Sequence, residues 1–321
     1  MFGGTPFFCN YWVTYRCNSR CEFCNIWRNK SLNSVPDADV CHVKKNLEDL
    51  KKIGVKMIDF TGGEPLLYKD LPQILEYAKK LGFFVKLSTN GFLYPERAEE
   101  VQGLVSRLYI SLDTTSKEQY QKIRGIDGYD RVIESLQVAK KLKQNSCVLY
   151  TVTDETIQNI APLVRFCTEH KVIVYMHPCF SYFGNTKLNT EHVAKMKEYF
   201  WHPYVRMSLP DLDFYTQGGN DINHPRCKVG KSTIDISPDD CLTIPCFHRY
   251  IQKVKIDKNL FSLYQSLEWK KLFEKAGTYE FCNHCTIDCY FGMSYWDKIG
   301  HHFFEQNATF LKNWIEELRP R

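Results

Sequence analysis

Three cysteines, Cys17, Cys21 and Cys24, crowd into the segment RCNSRCEFCNIW (16–27) with the spacing C-x3-C-x2-C. A cubane iron–sulfur cluster normally takes four cysteines. Three thiolates on one loop therefore hold three irons and leave the fourth open to a ligand. Two blander chemistries use the same residues. One is a zinc site, with a cysteine pair from this loop and further ligation from Cys9 or His42; the other is a set of buried thiols acting as small hydrophobes. A second concentration of cysteine lies between 227 and 289. The chain carries 14 cysteines, and its N-terminal MFGGTPFFCNYWVTY lacks the basic region of a signal peptide. The expectation is a cytoplasmic protein, whose thiols stay reduced. So many cysteines there ask for metal or catalysis rather than a disulfide framework.

The elements that must position these residues read as an alternation. Strand patterns at Phe8–Thr14, Lys56–Thr61, Phe83–Ser88, Arg107–Leu112, Ser146–Thr151 and Lys171–His177 are separated by helical ones. Those helices fall at Asp39–Ile53, Leu71–Leu81, Glu96–Gly103, Gly128–Leu142 and Ile157–His170. Alternation of this kind implies parallel strands with helices outside, and six units suit an open, partial barrel. The fold class expected is α/β: a partial (β/α)6 TIM-like barrel with a small C-terminal domain of a β-hairpin and helices. Active residues then belong at the C-terminal strand ends. Beyond His177 the rhythm stops, although 190–200 looks helical and 303–318 reads as a closing amphipathic helix. The expected division is a barrel over 1–180, a linking or substrate-covering segment over 181–226, and a cysteine-bearing domain over 227–321.

Composition agrees with a folded chain. Of 321 residues, 44% are hydrophobic and 25% charged, enough apolar surface for a core. The net charge of +5 is spread without a dense basic run, so nucleic acid binding has no support. Apolar runs such as VIVYM (172–176) fall far short of a membrane span.

The C-x3-C-x2-C run, with Phe23 before its third cysteine, resembles the signature of the radical S-adenosylmethionine (SAM) superfamily. The resemblance continues through FTGGEP (60–65), STNG (88–91), SLD (111–113) and IRG (123–125), all in order. It implies a [4Fe-4S] cluster on Cys17, Cys21 and Cys24, and SAM bound to the open iron. Gly62, Gly63 and Glu64 would contact the methionyl amino group, with Ser88, Asn90, Ser111 and Asp113 lining the SAM site. Arg124 would pair the SAM carboxylate. The family's chemistry is reductive cleavage of SAM to a 5′-deoxyadenosyl radical that abstracts hydrogen from substrate. It needs a low-potential electron donor such as flavodoxin or ferredoxin.

CKVG (227–230), ISPDDCLTIPC (236–246) and FCNHCTIDCY (281–290) resemble the auxiliary-cluster domains called twitch and SPASM. Cys241 stands where their hairpin usually has glycine. By that resemblance Cys227, Cys246, Cys282 and Cys285 would hold one auxiliary [4Fe-4S] cluster, with Cys289 an alternative to one of them; four-thiolate zinc fits almost as well. His248, His284, His301 and His302 read as hydrogen-bonded filler. Cys9, Cys41, Cys147 and Cys167 read as core. Cys179, just past the sixth strand, is a candidate hydrogen-atom donor at the barrel mouth, or an inert thiol. The aromatic stretch 175–220 is a candidate pocket wall. The first strand starts near Phe8 and no cobalamin domain is evident, so neither a leader-peptide domain nor cobalamin-dependent methylation is expected. A small-molecule or peptide substrate is expected. The contrasting expectation is a non-catalytic iron–sulfur or zinc protein that retains the fold.

Overall fold

The computed structural model describes residues 5–180, 188–257, 259–287 and 290–291. Cys289, Tyr182, Phe183, His301, His302 and the expected closing helix lie outside them. Ten strands form one sheet: β1 (Phe8–Thr14), β2 (Met57–Gly62), β3 (Phe84–Thr89), β4 (Arg107–Ser111), β5 (Ser146–Val152), β6 (Ile173–Pro178), β7 (Val205–Arg206), β8 (Thr233–Ile236), β9 (Cys241–Ile244) and β10 (Gln252–Lys255). The order across the sheet is β10-β9-β8-β1-β2-β3-β4-β5-β6-β7.

Strands β1 to β7 pair in parallel, each with its successor. The six expected strands and their five helices are all present, within a residue or two of the expected bounds except that the fifth helix, expected from Ile157, begins with a 3-10 turn (Ile157–Asn159) and is α-helical over Ile160–Glu169. The sheet extends beyond those six on both sides. At one edge β7 adds a short parallel strand to β6. At the other, β8 pairs in parallel with β1, Phe8 opposite Thr233 and Tyr11 opposite Ile236. The hairpin of the second cysteine segment is thus a continuation of the barrel sheet, with β9 and β10 antiparallel at its edge.

The helices follow their apolar stripes. In Val40–Ile53, capped by Asp39 accepting from His42 N and ended by left-handed Gly54, the buried stripe is Val43, Leu47, Leu50 and Ile53. Cys41 lies off that stripe and is exposed, so its expected place in the core is wrong. Cys9, Cys147 and Cys167 are buried as expected. Several helices escaped the sequence reading, among them short ones at Lys30–Asn33, Leu260–Gln265 and Leu267–Glu274, and two of the others bear on the site. Leu209–Thr216 starts with proline in its first turn inside a segment expected to be irregular. Lys117–Arg124, capped by Ser116 and ended by Gly125, carries a weak apolar pattern. The second of these proves central to the site.

Candidate active site

Because the strands run parallel, their C-terminal ends share one edge, and the sequence-predicted residues collect there. The cysteine loop leaves β1 beside a register shift between Trp12 and Thr14. It is pinned at its start by the GGEP segment. A Cβ on Gly62 would sit 2.2 Å from the Thr14 carbonyl oxygen, and one on Gly63 would sit 2.3 Å from that of Arg16. Only glycine permits this approach, which lets Gly63 N donate to Thr14 O (2.9 Å) and Glu64 N to Arg16 O (2.8 Å). The glycines thereby hold the residues immediately before Cys17. Arg16 itself pairs with Asp37 and donates to Leu67 O (2.9 Å).

Glu64 is fully buried. Its Oε1 accepts from Thr89 Oγ1 (2.6 Å) and Leu66 N (3.0 Å), and its Oε2 accepts from Asn90 N (2.7 Å). Burial pushes its carboxyl up to about 7 against these hydrogen bonds. It therefore ties the end of β2 to the end of β3. Asn90 continues the chain of contacts, donating from Nδ2 to Asn18 Oδ1 (2.6 Å) and Ser19 Oγ (3.0 Å) within the cysteine loop. Ser88 donates to Asp59 (3.4 Å), away from that loop, and Ser111 is buried at the end of β4.

The far side of the loop rests on the Lys117–Arg124 helix. Arg20 N donates to Arg124 O (2.8 Å) and Glu22 N to Ile123 O (3.0 Å). Gly125, at φ +61°, has no room for a side chain, since a Cβ would lie 2.6 Å from Arg20 O. Asp113 is buried and takes Arg124 Nε at 2.6 Å and Thr151 N at 3.0 Å. Arg124 Nη1 points to Cys21 Sγ at 3.7 Å, and its guanidinium lies over the Phe23 ring at 5.2 Å. Arg124 is 5% exposed, so its ion pair with Asp113 is a buried one.

The Cys17 and Cys24 thiols of the loop are largely buried and held in their neutral form. Burial, and then the nearby Glu64 carboxylate ahead of Cys21 and Cys24, pushes Cys17 up to about 12; Cys24 is raised chiefly by burial. Thiols so arranged give up protons to a metal rather than to water. Among the described residues, no three His, Cys, Asp or Glu side chains close on one point as a single ion requires. A cubane takes its thiolates at separate corners, and three cysteines on one short loop are donors of the type it uses. The donor set on this loop fits that group.

In the second group, burial raises Cys227 to about 12 and Cys285 to about 11, and lifts Cys246 well above the usual thiol range. Cys282 and Cys285 act on Cys227, and Cys227 and Cys285 on Cys246, so these four thiols share one neighbourhood. Buried Asn220 organises three of their segments. Its N donates to Cys285 O (2.9 Å), its O accepts from His284 N (2.8 Å), and its Nδ2 reaches Gly277 O (2.8 Å) and Cys282 O (3.1 Å). Its Oδ1 accepts from Arg226 N (3.0 Å), next to Cys227. Cys241 lies on β9, buried, its Sγ facing Asp239 O.

A cavity of about 220 Å³ joins both cysteine segments. Its lining includes Cys24 and Ile26 of the loop, Thr151 and His177 at the ends of β5 and β6, and Phe247 and His248 after β9. Cys179 and Phe180 also face it. Cys179 thus reaches the barrel mouth, its thiol pushed up to about 12 by burial and so kept protonated. Of the aromatic stretch 175–220, Phe180 alone among the described residues reaches this cavity; Trp201 is 75% exposed. His248 lines the cavity as well, and burial holds its imidazole neutral with a pKa of about 4. Thr151, His177 and Phe247 were missed. For the first two the available signal was their position at strand ends, and for Phe247 its place directly after the Pro-Cys of the hairpin.

Residues 11–167 match the family model described as the radical SAM superfamily. A probable GTP 3′,8-cyclase of Saccharolobus solfataricus is 37% identical over 131 residues, 40% of this chain and 41% of that protein. One from Pyrococcus abyssi is 29% identical over 169 residues, 51% of this chain and 54% of that protein. The chain thus spans about half the length of these curated relatives. In fold, it is similar to Streptococcus suis SuiB bound to its precursor peptide SuiA (TM-score 0.70, 17% identity, 84% of this chain and 66% of that one). It is also similar to anSMEcpe with bound AdoMet (TM-score 0.65, 16% identity, 98% of this chain and 100% of that one). No helix among the described residues is long and apolar enough to cross a membrane.

Proposed function

From a chain that belongs to the radical SAM superfamily through residues 11–167, we propose an enzyme that cleaves SAM reductively and abstracts hydrogen from a small-molecule or peptide substrate. The observation that carries this is the cysteine loop, clamped between the GGEP segment on one side and the Arg124 helix end on the other. Cys17, Cys21 and Cys24 would hold a [4Fe-4S] cluster. The chemistry such a cluster with SAM would supply is a 5′-deoxyadenosyl radical, given an electron from a low-potential donor of flavodoxin or ferredoxin type. The protein's part is to orient and to enclose. Gly62, Gly63, Glu64 and Asn90 fix the loop, and the cavity beside Cys24 receives the substrate. Its apolar walls (Ile26, Phe180 and Phe247) exclude water from the reacting carbon.

Cys227, Cys246, Cys282 and Cys285 would hold a second [4Fe-4S] cluster, as electron acceptor or substrate anchor. The relatives named GTP 3′,8-cyclase suggest a nucleotide substrate. Against a triphosphate buried here, the described lining contains no lysine or arginine. We therefore favour an uncharged group at the radical's target. Metal analysis of anaerobically reconstituted protein tests the reading. About eight irons per chain, with matching sulfide, are expected for two [4Fe-4S] clusters. Stoichiometric zinc in the first group would contradict it and favour the non-catalytic alternative.

A further inference from the structure

Arg124 is committed on three sides. Its Nε and Nη2 both lie 2.6 Å from Asp113 Oδ2, and its remaining Nη1 is 3.7 Å from Cys21 Sγ. The helix end that carries it is joined to the cysteine loop by two backbone hydrogen bonds, and Phe23 covers its face. A guanidinium keeps its charge at all working pH values, and one buried this deeply is little screened by salt. Asp113, fully buried, compensates part of that charge.

We propose that Arg124 is a fixed cation on the Cys21 thiolate that sets the reduction potential of the cluster on this loop, with Asp113 determining how much of the charge the cluster feels. The proposal rests on the cluster reading above. Hydrogen bonds and charges at the sulfur ligands are among the determinants of cluster potential. Gaining an electron adds negative charge, so a nearby cation favours the reduced state. Arg124 is a positioning residue of the cluster, apart from any contact it makes with SAM.

Opposite charge changes must then move the potential in opposite directions. The experiment is a redox titration of reconstituted full-length protein by electron paramagnetic resonance, for wild type, Arg124→Gln and Asp113→Asn. The signal of this cluster is identified by its change on adding SAM. Arg124→Gln is expected to shift the reduction equilibrium about tenfold toward the oxidised form, about 59 mV more negative for one electron. Asp113→Asn is expected to shift it to more positive potential. A purely structural role would not reverse sign between the two. Should one variant fail to hold its cluster, the direction of the other decides. Unchanged potentials, or shifts of the same sign, at intact iron content would overturn the proposal and leave the cluster reading standing. A wild type with no SAM-responsive cluster would overturn both.

Discussion

Glu64 carries a structural role beside the one its turn suggests. Legible in the sequence as part of a SAM-contacting turn, it is engaged in the structure by Thr89, Asn90 and Leu66, three donors from the next strand end and its own turn. Two consequences follow at this scale. A glutamine there must turn its amide nitrogen toward at least one of those donors, so Glu64→Gln is expected to cost about 1–3 kcal/mol in urea unfolding. The pH dependence has a definite sign. The folded carboxyl, near 7, sits above its unfolded value, so the unfolded chain releases this proton first. The group's contribution is complete below about 4.5 and is lost as pH rises to about 7. The difference in stability between wild type and Glu64→Gln should therefore shrink with a slope confined to that window. Parallel pH profiles would show that Glu64 does not titrate there. The cysteine triad was legible because cluster ligation imposes a spacing on the chain itself. Asn220 was not, since its partners at 226, 277, 282, 284 and 285 come together only on folding.

The elements carry the next level of organisation. The end of β1 and the end of β2 meet backbone to backbone at Gly62 and Gly63, and this contact aims the loop. Gly63→Ala forces a methyl onto the Arg16 carbonyl. It is expected to cost about 1–3 kcal/mol and to lower iron uptake at the first site. Iron content equal to wild type in a folded Gly63→Ala protein would mean that the loop does not depend on the contact. The second site has a comparable organiser in Asn220, placed just past the Leu209–Thr216 helix. Asn220→Ala should reduce iron from about eight to about four per chain, with the SAM-responsive signal retained. Loss of both clusters together would show that Asn220 supports the whole fold instead. Strand positions were readable from β-branched and aromatic runs, and helix positions from 3.6-residue periodicity. The Lys117–Arg124 helix was not, because only Tyr120, Ile123 and Arg124 of its eight residues are buried.

Across the whole molecule, the sequence separated what the structure joins. A break in rhythm after His177 suggested a barrel and an appended cysteine domain, yet β8 pairs with β1 and carries the hairpin into the same sheet. No local pattern announces a pairing between residues some 225 positions apart, and Asn10 and Asp235 meet in it at 2.8 Å. That pairing brings Phe247, beside Cys246, onto Trp12 of β1 with ring centroids 3.6 Å apart. One cavity is thus lined both by Cys24 of the first cysteine segment and by Phe247 and His248, which follow Cys246 in the second. The central claim is that the loop of Cys17, Cys21 and Cys24 supports reductive cleavage of SAM. Its most direct test is 5′-deoxyadenosine formation by anaerobically reconstituted protein given SAM and a strong low-potential reductant, beside a Cys24→Ala variant. The account predicts product from wild type and none from the variant. No product from a wild type verified to hold its iron and sulfide, or equal product from both proteins, would contradict it.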